Sequence, residues 1–277
     1  DMASAACPAC KITSLQVPLK DGFFGNKQHI HNAISHFAAG VQTAHSMGAN
    51  AVSISYGYPA DTFSDKGTIA DMLNVPGMPI VSSSGDAGFV VRHATWPQNL
   101  KTVTAAGGTS LYTDKSNSRG FSEVAWNGAG SFCTTDLGPA EGQPAKVTRY
   151  CRGHRTASDV SAVSDPYTGV AVYDSYAPGS GQPFGFLTVG GTSAASPFIA
   201  GIYARAPQNN QVVGPNTIYA APASDFTDVT TGTNYGLGYC ESKGVGNPVC
   251  DARPGWDGPT GVGTPYGLGA FAATPKG

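Results

Sequence analysis

Charged side chains are scarce in this sequence. They make up 12% of its 277 residues, with sixteen Lys and Arg against eighteen Asp and Glu, and the formal net charge is -2. Proteins that bind nucleic acid hold its phosphates with clustered basic side chains. Because this chain has no basic excess, the composition predicts no nucleic-acid partner.

Long hydrophobic runs are missing as well. No apolar stretch of the sequence reaches the roughly 20 residues that a transmembrane helix needs, and residues 1–20 lack the basic and then apolar pattern of a signal peptide. We therefore expect a soluble chain without a membrane partner. The length, the 40% hydrophobic content and the absence of a linker predict that residues 1–277 form a single domain.

The six cysteines are an even set, which favours disulfide bonds in a chain with so few charges. Disulfides persist in oxidising compartments, so we expect a secreted protein. Because short loops close most easily, nearest neighbours are the expected pairs: 7 with 10, 133 with 151, and 240 with 250. The alternative is a zinc site on Cys7-Pro-Ala-Cys10, although no second CxxC or matched histidine pair completes it.

Strand-like and helix-like patterns alternate along the chain. Apolar residues recur at helical spacing over residues 28–48 and more weakly over residues 64–74. The β-prone runs fall at residues 11–17, 51–55, 79–83, 101–105 and 185–189. This alternation predicts an α/β fold with a mostly parallel sheet covered by helices on both faces.

Two loops that follow strands contain residue types suited to catalysis. They are residues 82–88, which include Asp86, and residues 190–197, which include Ser193. In such sheets, chemistry occurs where loops extend from the carboxyl ends of the strands. Two glycines and a following helix would present Ser193 to a substrate near the positive end of the helix dipole. Alternatively, Ser193 is only a helix N-cap, and Asp86 only a turn residue between glycines.

Five segments in chain order resemble the sedolisin family, the serine-carboxyl peptidases of the subtilisin-like clan. They are Gly191-Thr-Ser-Ala-Ala-Ser-Pro197, Ser83-Ser-Gly-Asp-Ala-Gly88, Ser53-Ile-Ser-Tyr-Gly57, Asp159-Val-Ser-Ala-Val-Ser-Asp-Pro166 and Gly255-Trp-Asp-Gly-Pro-Thr-Gly-Val-Gly-Thr-Pro265. Subtilisins differ by a His-Gly-Thr segment and by an Asn in the second of these loops, and this chain has neither. The resemblance implies a subtilisin-like fold, Ser193 as nucleophile and Asp86 as the side chain of the oxyanion hole.

The implied activity is peptide-bond hydrolysis through a Ser193 acyl-enzyme, with endopeptidase action on peptide or protein substrates expected. A carboxylate would repel the oxyanion, so Asp86 must be protonated to donate a hydrogen bond. Aspartic acid is protonated only near or below a pH of about 4. An acidic optimum is therefore expected.

The catalytic base is not evident in the sequence. His29, His31, His36 and His45 crowd one predicted helix, but an imidazole is already protonated at low pH and cannot accept the serine proton. Sedolisins use a Glu and an Asp four residues later, and the resemblance places that Asp two residues before Asp1. We expect the missing segment to be held as a cleaved N-terminal fragment. The alternative is a truncated or non-catalytic protein that serves as a binding or structural module.

Residues 225–265 resemble the calcium-binding region of the same family. The resemblance implies Ca²⁺ bound by the carboxylates of Asp228 and Asp257 and by the backbone carbonyls of Val229, Arg253 and Gly255. Hard oxygen ligands suit this ion. The alternative is two glycine-rich loops with Asp in turns.

Overall fold

A computed structural model describes most of the chain, namely residues 1–18, 27–59, 67–90, 95–175, 185–207, 210–236, 240 and 246–273. The helices are α1 (Met2–Ala6), α2 (Lys27–Ser46), α3 (Thr68–Asp71), α4 (Ala145–Thr148), α5 (Thr192–Arg205) and α6 (Asn216–Ala220). The strands are β1 (Val52–Ile54), β2 (Tyr58–Pro59), β3 (Ile80–Ser83), β4 (Thr95–Trp96), β5 (Val103–Thr113), β6 (Phe121–Ala125), β7 (Phe132–Cys133), β8 (Thr156–Ala157), β9 (Val160–Val163), β10 (Val170–Asp174), β11 (Gly185–Val189), β12 (Phe226–Thr227) and β13 (Thr264–Pro265).

The central sheet has five strands and is mostly parallel. β1, β3, β5 and β6 lie side by side in that order, and β9 also pairs with β5. The pairings of β1 with β3, β3 with β5 and β5 with β9 are parallel, whereas β6 is antiparallel. The long strand β5 is buried over its first eight residues because strands flank it and helices cover it.

Helices cover both faces of this sheet. On one face, Ile199 and Tyr203 of α5 pack with Val81 and Ala106. On the other, Ile34 of α2 belongs to a cluster with neighbouring residues of the same strands, including Ile80 and Val103. Successive strand residues point to opposite faces, so the two clusters lie on opposite sides. The predicted α/β fold is confirmed.

Several sequence-derived elements are found close to their expected bounds. The helix predicted at 28–48 is α2, and the strands predicted at 51–55, 79–83 and 185–189 are β1, β3 and β11. The strand predicted at 101–105 begins at Val103 and continues to Thr113.

Two other predicted elements differ from the structure: one strand is absent and one helix is shorter. Residues 11–17 do not form a strand, and they are mostly exposed; β propensity alone does not make a strand when no neighbouring strand completes its ladder. Of the helix predicted at 64–74, the structure has only α3, and residues 64–66 lie outside the described residues.

All six cysteines form the expected disulfides: Cys7 with Cys10, Cys133 with Cys151, and Cys240 with Cys250. Paired Cys7 and Cys10 have no thiolates to offer a zinc ion. Within the described ranges, no group of three or more His, Cys, Asp or Glu side chains is placed to hold a metal. Nor does any described helix combine the length and apolar character needed to span a bilayer.

Candidate active site

Ser193 lies in the first turn of α5, at the carboxyl edge of the sheet, and its side chain is exposed. The preceding Gly191 has a φ of 84°, a left-handed conformation that glycine adopts without strain. A Cβ at Gly191 would lie 2.7 Å from Oδ2 of Asp86, so only glycine leaves room for that carboxyl group. Pro197 is the sixth residue of α5 and lacks the N–H that would bond to the Ser193 carbonyl; that carbonyl accepts from the Ser55 hydroxyl instead.

Asp86 is fixed against the nucleophile loop by Thr192. Its Oδ1 accepts hydrogen bonds from the Thr192 backbone N–H at 2.7 Å and from the Thr192 hydroxyl at 2.9 Å. The buried Thr192 hydroxyl is also 3.0 Å from the Gly85 amide and 3.1 Å from the Gly85 carbonyl oxygen. The structure thus brings Asp86 next to the residue that precedes Ser193, and it leaves Oδ2 facing Gly191.

A second strand end supports the same loop. The Ser55 hydroxyl, just beyond β1, donates to the backbone carbonyl of Ser193 at 3.0 Å. Ser196, one turn further along α5, lies 2.9 Å from the hydroxyl of Ser53 and donates to the Val81 carbonyl. These contacts hold the start of α5 on the ends of β1 and β3.

The histidines lie elsewhere. His29, His31, His36 and His45 belong to α2, which covers the opposite face of the sheet from α5. Within the described residues, no side chain hydrogen-bonds to the hydroxyl of Ser193.

Helix α1 packs along α5 in the same direction. A Cβ at Gly201 would contact Ala3 and Ala6, and Arg205 donates to the Ala6 carbonyl at 3.0 Å. From Ala6 back to Ala3, α1 therefore follows α5 from Arg205 back to Gly201, in the direction of Ser193. The amino-terminal end of α1 points to the nucleophile.

The candidate calcium ligands lie in two loops that the structure brings together. Asp228 directly follows β12, and its carboxylate contacts the 253–257 loop. The Gly255 N–H donates to Asp228 at 2.8 Å, and the Arg253 N–H donates to Asp257 at 3.1 Å. Val229 is buried next to Asp228.

Both carboxyl groups are electrostatically costly when they are charged. Burial, with a smaller contribution from the nearby Asp228 charge, raises the pKa of Asp257 to about 7, although hydrogen bonds from Thr260 and Arg253 oppose the shift. Burial also raises the pKa of Asp228. A bound cation would relieve this cost, so the donor set of two carboxylates and adjacent carbonyls fits a hard divalent ion.

Sequence reasoning missed Thr192, Ser55 and Thr260 as supporting residues. Thr192 lies inside the Gly-Thr-Ser motif and Ser55 inside the Ser-Ile-Ser-Tyr-Gly segment, so both residues belong to segments that the sequence had already marked as part of the site. Their roles depend on contacts over 106 and 138 residues of sequence, and one-dimensional spacing does not reveal such contacts.

Comparisons with known proteins agree with this geometry. The model of the Subtilase family matches residues 2–239. The chain is 28% identical to kumamolisin of Bacillus sp. (strain MN-32) over 97% of its own length and 48% of that protein. It is 31% identical to sedolisin of Pseudomonas sp. (strain 101) over 61% of its own length and 28% of that protein. The chain therefore spans about half or less of these relatives.

Solved structures give the same result. Pseudomonas sedolisin, complexed with two molecules of pseudo-iodotyrostatin, aligns with a TM-score of 0.61 and 25% identity over 87% of this chain and 68% of that chain. A lanthipeptide protease aligns with a TM-score of 0.54 and 15% identity over 98% of this chain and 72% of that chain, a likeness of fold alone. The resemblance inferred from the five segments is confirmed.

Proposed function

Because this chain belongs to the subtilase family, in its sedolisin branch, we propose that it acts as part of a secreted, acid-acting serine-carboxyl endopeptidase. One observation carries the proposal. The Asp86 carboxyl group is tied to Thr192, next to Ser193, with its second oxygen turned towards the nucleophile loop. An aspartate used only in a turn would not need two donors from another loop.

In the proposed reaction, Ser193 Oγ attacks the peptide carbonyl carbon. A bond forms between Oγ and carbon, and the Oγ proton passes to a base. The oxyanion is held by a backbone N–H near Ser193 and by protonated Asp86. Since Oδ1 already accepts two hydrogen bonds from Thr192, the carboxyl proton belongs on Oδ2. Breaking the C–N bond releases the amine, which takes the proton from the base, and water then hydrolyses the acyl-enzyme.

We place the base on a backward extension of α1. Ser193 is eight residues before Gly201 on α5, and Gly201 contacts Ala3. Two helices that run side by side rise equally, at about 1.5 Å per residue. A position about eight residues before Ala3 would then lie beside Ser193. This position agrees with the Glu of the family's Glu and Asp pair, which we propose as the base.

We propose that Ca²⁺ binds Asp228 and Asp257 with the carbonyls of Val229, Arg253 and Gly255. When bound, the ion would supply charge neutralisation that holds the two loops together; it has no part in the reaction. The support is the pair of neighbouring carboxylates, whose pKa values are raised by burial and whose charge a cation would neutralise. The disulfide between Cys240 and Cys250 closes the segment between these loops.

Peptide hydrolysis measured from about pH 3 to pH 8 tests the proposal, with intact-mass analysis to detect a companion fragment. We expect activity to peak in acid and Ser193→Ala to lower it on the order of 10⁴-fold or more. The exposed Met47→Ser variant, whose site lies just beyond α2, is the control. If folded protein that includes the N-terminal segment hydrolyses no peptide at any pH, the chain is a non-catalytic binding or structural module.

Calcium is tested separately, by thermal unfolding with and without chelator. Binding to the folded state alone stabilises it by about 2.7 kcal/mol at 100 times the Kd. We expect the melting temperature to fall on chelation, and Asp257→Asn to lower it and remove most of the chelator effect. An unchanged melting temperature in excess chelator would exclude a stabilising calcium site.

A further inference from the structure

The hairpin formed by β10 and β11 differs from an ordinary surface hairpin. Its register pairs Tyr173 with Phe186 directly across the strands. Side chains alternate between the two faces, so these rings share one face with Ala171 and Thr188. The opposite face carries half-buried aliphatic residues, among them Val172 and Leu187.

We call the exposed side the aromatic face, defined by Tyr173 and Phe186. The two residues are 61% and 77% exposed, and their rings form an edge-to-face pair with centroids 5.2 Å apart. Tyr167, in the turn before β10, is 96% exposed. Antiparallel sheets with one buried face ordinarily present polar residues to water, so two aromatic rings there are unexpected.

Exposed apolar residues are concentrated at this hairpin. Of the nine large hydrophobic residues that are exposed in the described part of the chain, four fall between positions 167 and 189. Clusters of this kind mark interaction sites more often than isolated exposed residues do. The aromatic face has no charged residue, so its chemistry suits an apolar partner.

The hairpin is also continuous with the nucleophile loop. Val189 ends β11 four positions before Ser193. A Cβ at Gly190 would lie 2.5 Å from Pro166, and the Gly191 N–H donates to the Ser164 carbonyl at 2.5 Å. The base of the hairpin is therefore packed against the loop that presents Ser193, and a polypeptide that reaches Ser193 passes close to it.

From this continuity we infer that the aromatic face binds an apolar side chain of the polypeptide substrate, away from the scissile bond. This inference rests on the proposed peptidase function. An extended strand rises about 3.4 Å per residue, so Phe186 lies about 10 Å beyond Val189. The contacted substrate residue is therefore at least about three positions from the scissile bond.

A purely structural role would be that the cross-strand aromatic pair only stabilises the hairpin. The two roles differ in what they affect. A structural pair matters for folding whatever the substrate, whereas a binding face matters only for substrates that are long enough and apolar enough to reach it.

The binding test uses the full-length protein with Ser193→Ala, so it does not depend on turnover. The probes are fluorescein-labelled decapeptides of Gly and Ser, with a single Phe moved along the peptide and an all Gly and Ser peptide as reference. Anisotropy gives the Kd. We expect Tyr173→Ser with Phe186→Ser to weaken binding of the best Phe peptide at least fivefold, and not to change binding of the reference peptide.

Two further variants control for folding. The exchange Tyr173→Phe with Phe186→Tyr keeps both rings and should retain binding, and Met47→Ser, 59% exposed just beyond α2, should have no effect. In active enzyme, the double serine variant should raise the KM for the Phe decapeptide with kcat unchanged, and leave a chromogenic tripeptide unaffected.

The outcomes separate the inference about the aromatic face from the proposed peptidase function. Phe-peptide binding that is unchanged in the folded double serine variant overturns the inference, even if the wild type hydrolyses peptides. Equal losses for the decapeptide and the tripeptide also overturn it, because they indicate a disturbed site. If binding depends on the hairpin but the wild-type protein hydrolyses no peptide, the peptidase proposal is overturned and the aromatic face remains as a peptide-binding surface.

Discussion

Asp86 and Asp159 lie at opposite edges of the same sheet and have opposite surroundings. Asp86 follows β3, at the carboxyl edge, and is exposed beside Thr192. Asp159 precedes β9, at the amino edge, and is fully buried against Arg155, with 2.6 Å between Nη2 and Oδ2. Tyr219 and the Ala105 N–H also donate to Asp159, each at 2.7 Å.

The difference shows how the fold divides two tasks between identical side chains. At the carboxyl edge, loops open to solvent and a carboxyl group can meet a substrate. At the amino edge, the carboxylate is fully paired inside the protein. Burial by itself lowers the pKa of Arg155, but the adjacent Asp159 charge more than offsets that effect and keeps the guanidinium charged. This contrast supports a structural role for Asp159 and the proposed catalytic role of Asp86.

Removing the buried cation should have the largest effect on stability. Arg155→Met leaves Asp159 charged and unpaired in the interior, which costs about 3–5 kcal/mol. Urea unfolding monitored by circular dichroism measures the change. The double variant Arg155→Met with Asp159→Leu removes both charges and should recover part of the loss. A single variant as stable as the wild type would contradict the structural role.

Substitutions at Asp86 should affect activity more than stability. Asp86→Ala removes an oxyanion donor and should lower kcat about 10²–10³-fold. Asp86→Asn keeps the acceptor for Thr192 and provides an N–H donor that needs no proton from solution. Asp86→Asn should retain more activity than Asp86→Ala. Its activity should also persist to higher pH than that of the wild type. If Asp86→Asn loses activity over the same pH range as the wild type, the proposed protonated state of Asp86 is wrong.

The smallest effect is expected at the link between the two loops. Thr192→Val has nearly the same shape but removes the hydroxyl that bonds to Gly85 and Asp86. Loss of such a buried hydrogen bond costs about 1 kcal/mol, and we expect kcat to fall about tenfold because Asp86 keeps only the backbone N–H of Thr192. The conservative Thr192→Ser variant keeps the hydroxyl, so its stability and its kcat should be close to those of the wild type. Equal losses in the valine and serine variants would argue against the hydroxyl as the anchor.

Sequence by itself determined the type of fold, the three disulfide pairs and the identity of the proposed catalytic and calcium-binding residues. Periodicity located α2, β1, β3 and β11 because burial on one face or both leaves a local pattern. Short loops between neighbouring cysteines made the disulfide pairing predictable. Asp86 and Ser193 were identified by the resemblance of their loops to the sedolisin motifs, because the loop sequences alone also fit a turn residue and a helix N-cap.

Tertiary structure decided what those residues contact. Residues 11–17 have strand-like composition but remain outside any strand, since a strand requires a neighbour with which to form hydrogen bonds. Three features depend on chain segments that meet only after folding: the anchoring of Asp86 by Thr192, the pairing of Arg155 with Asp159 inside the protein, and the packing of the β10–β11 hairpin base against the nucleophile loop. Local sequence carries no record of such distances, because packing and burial are properties of the whole fold.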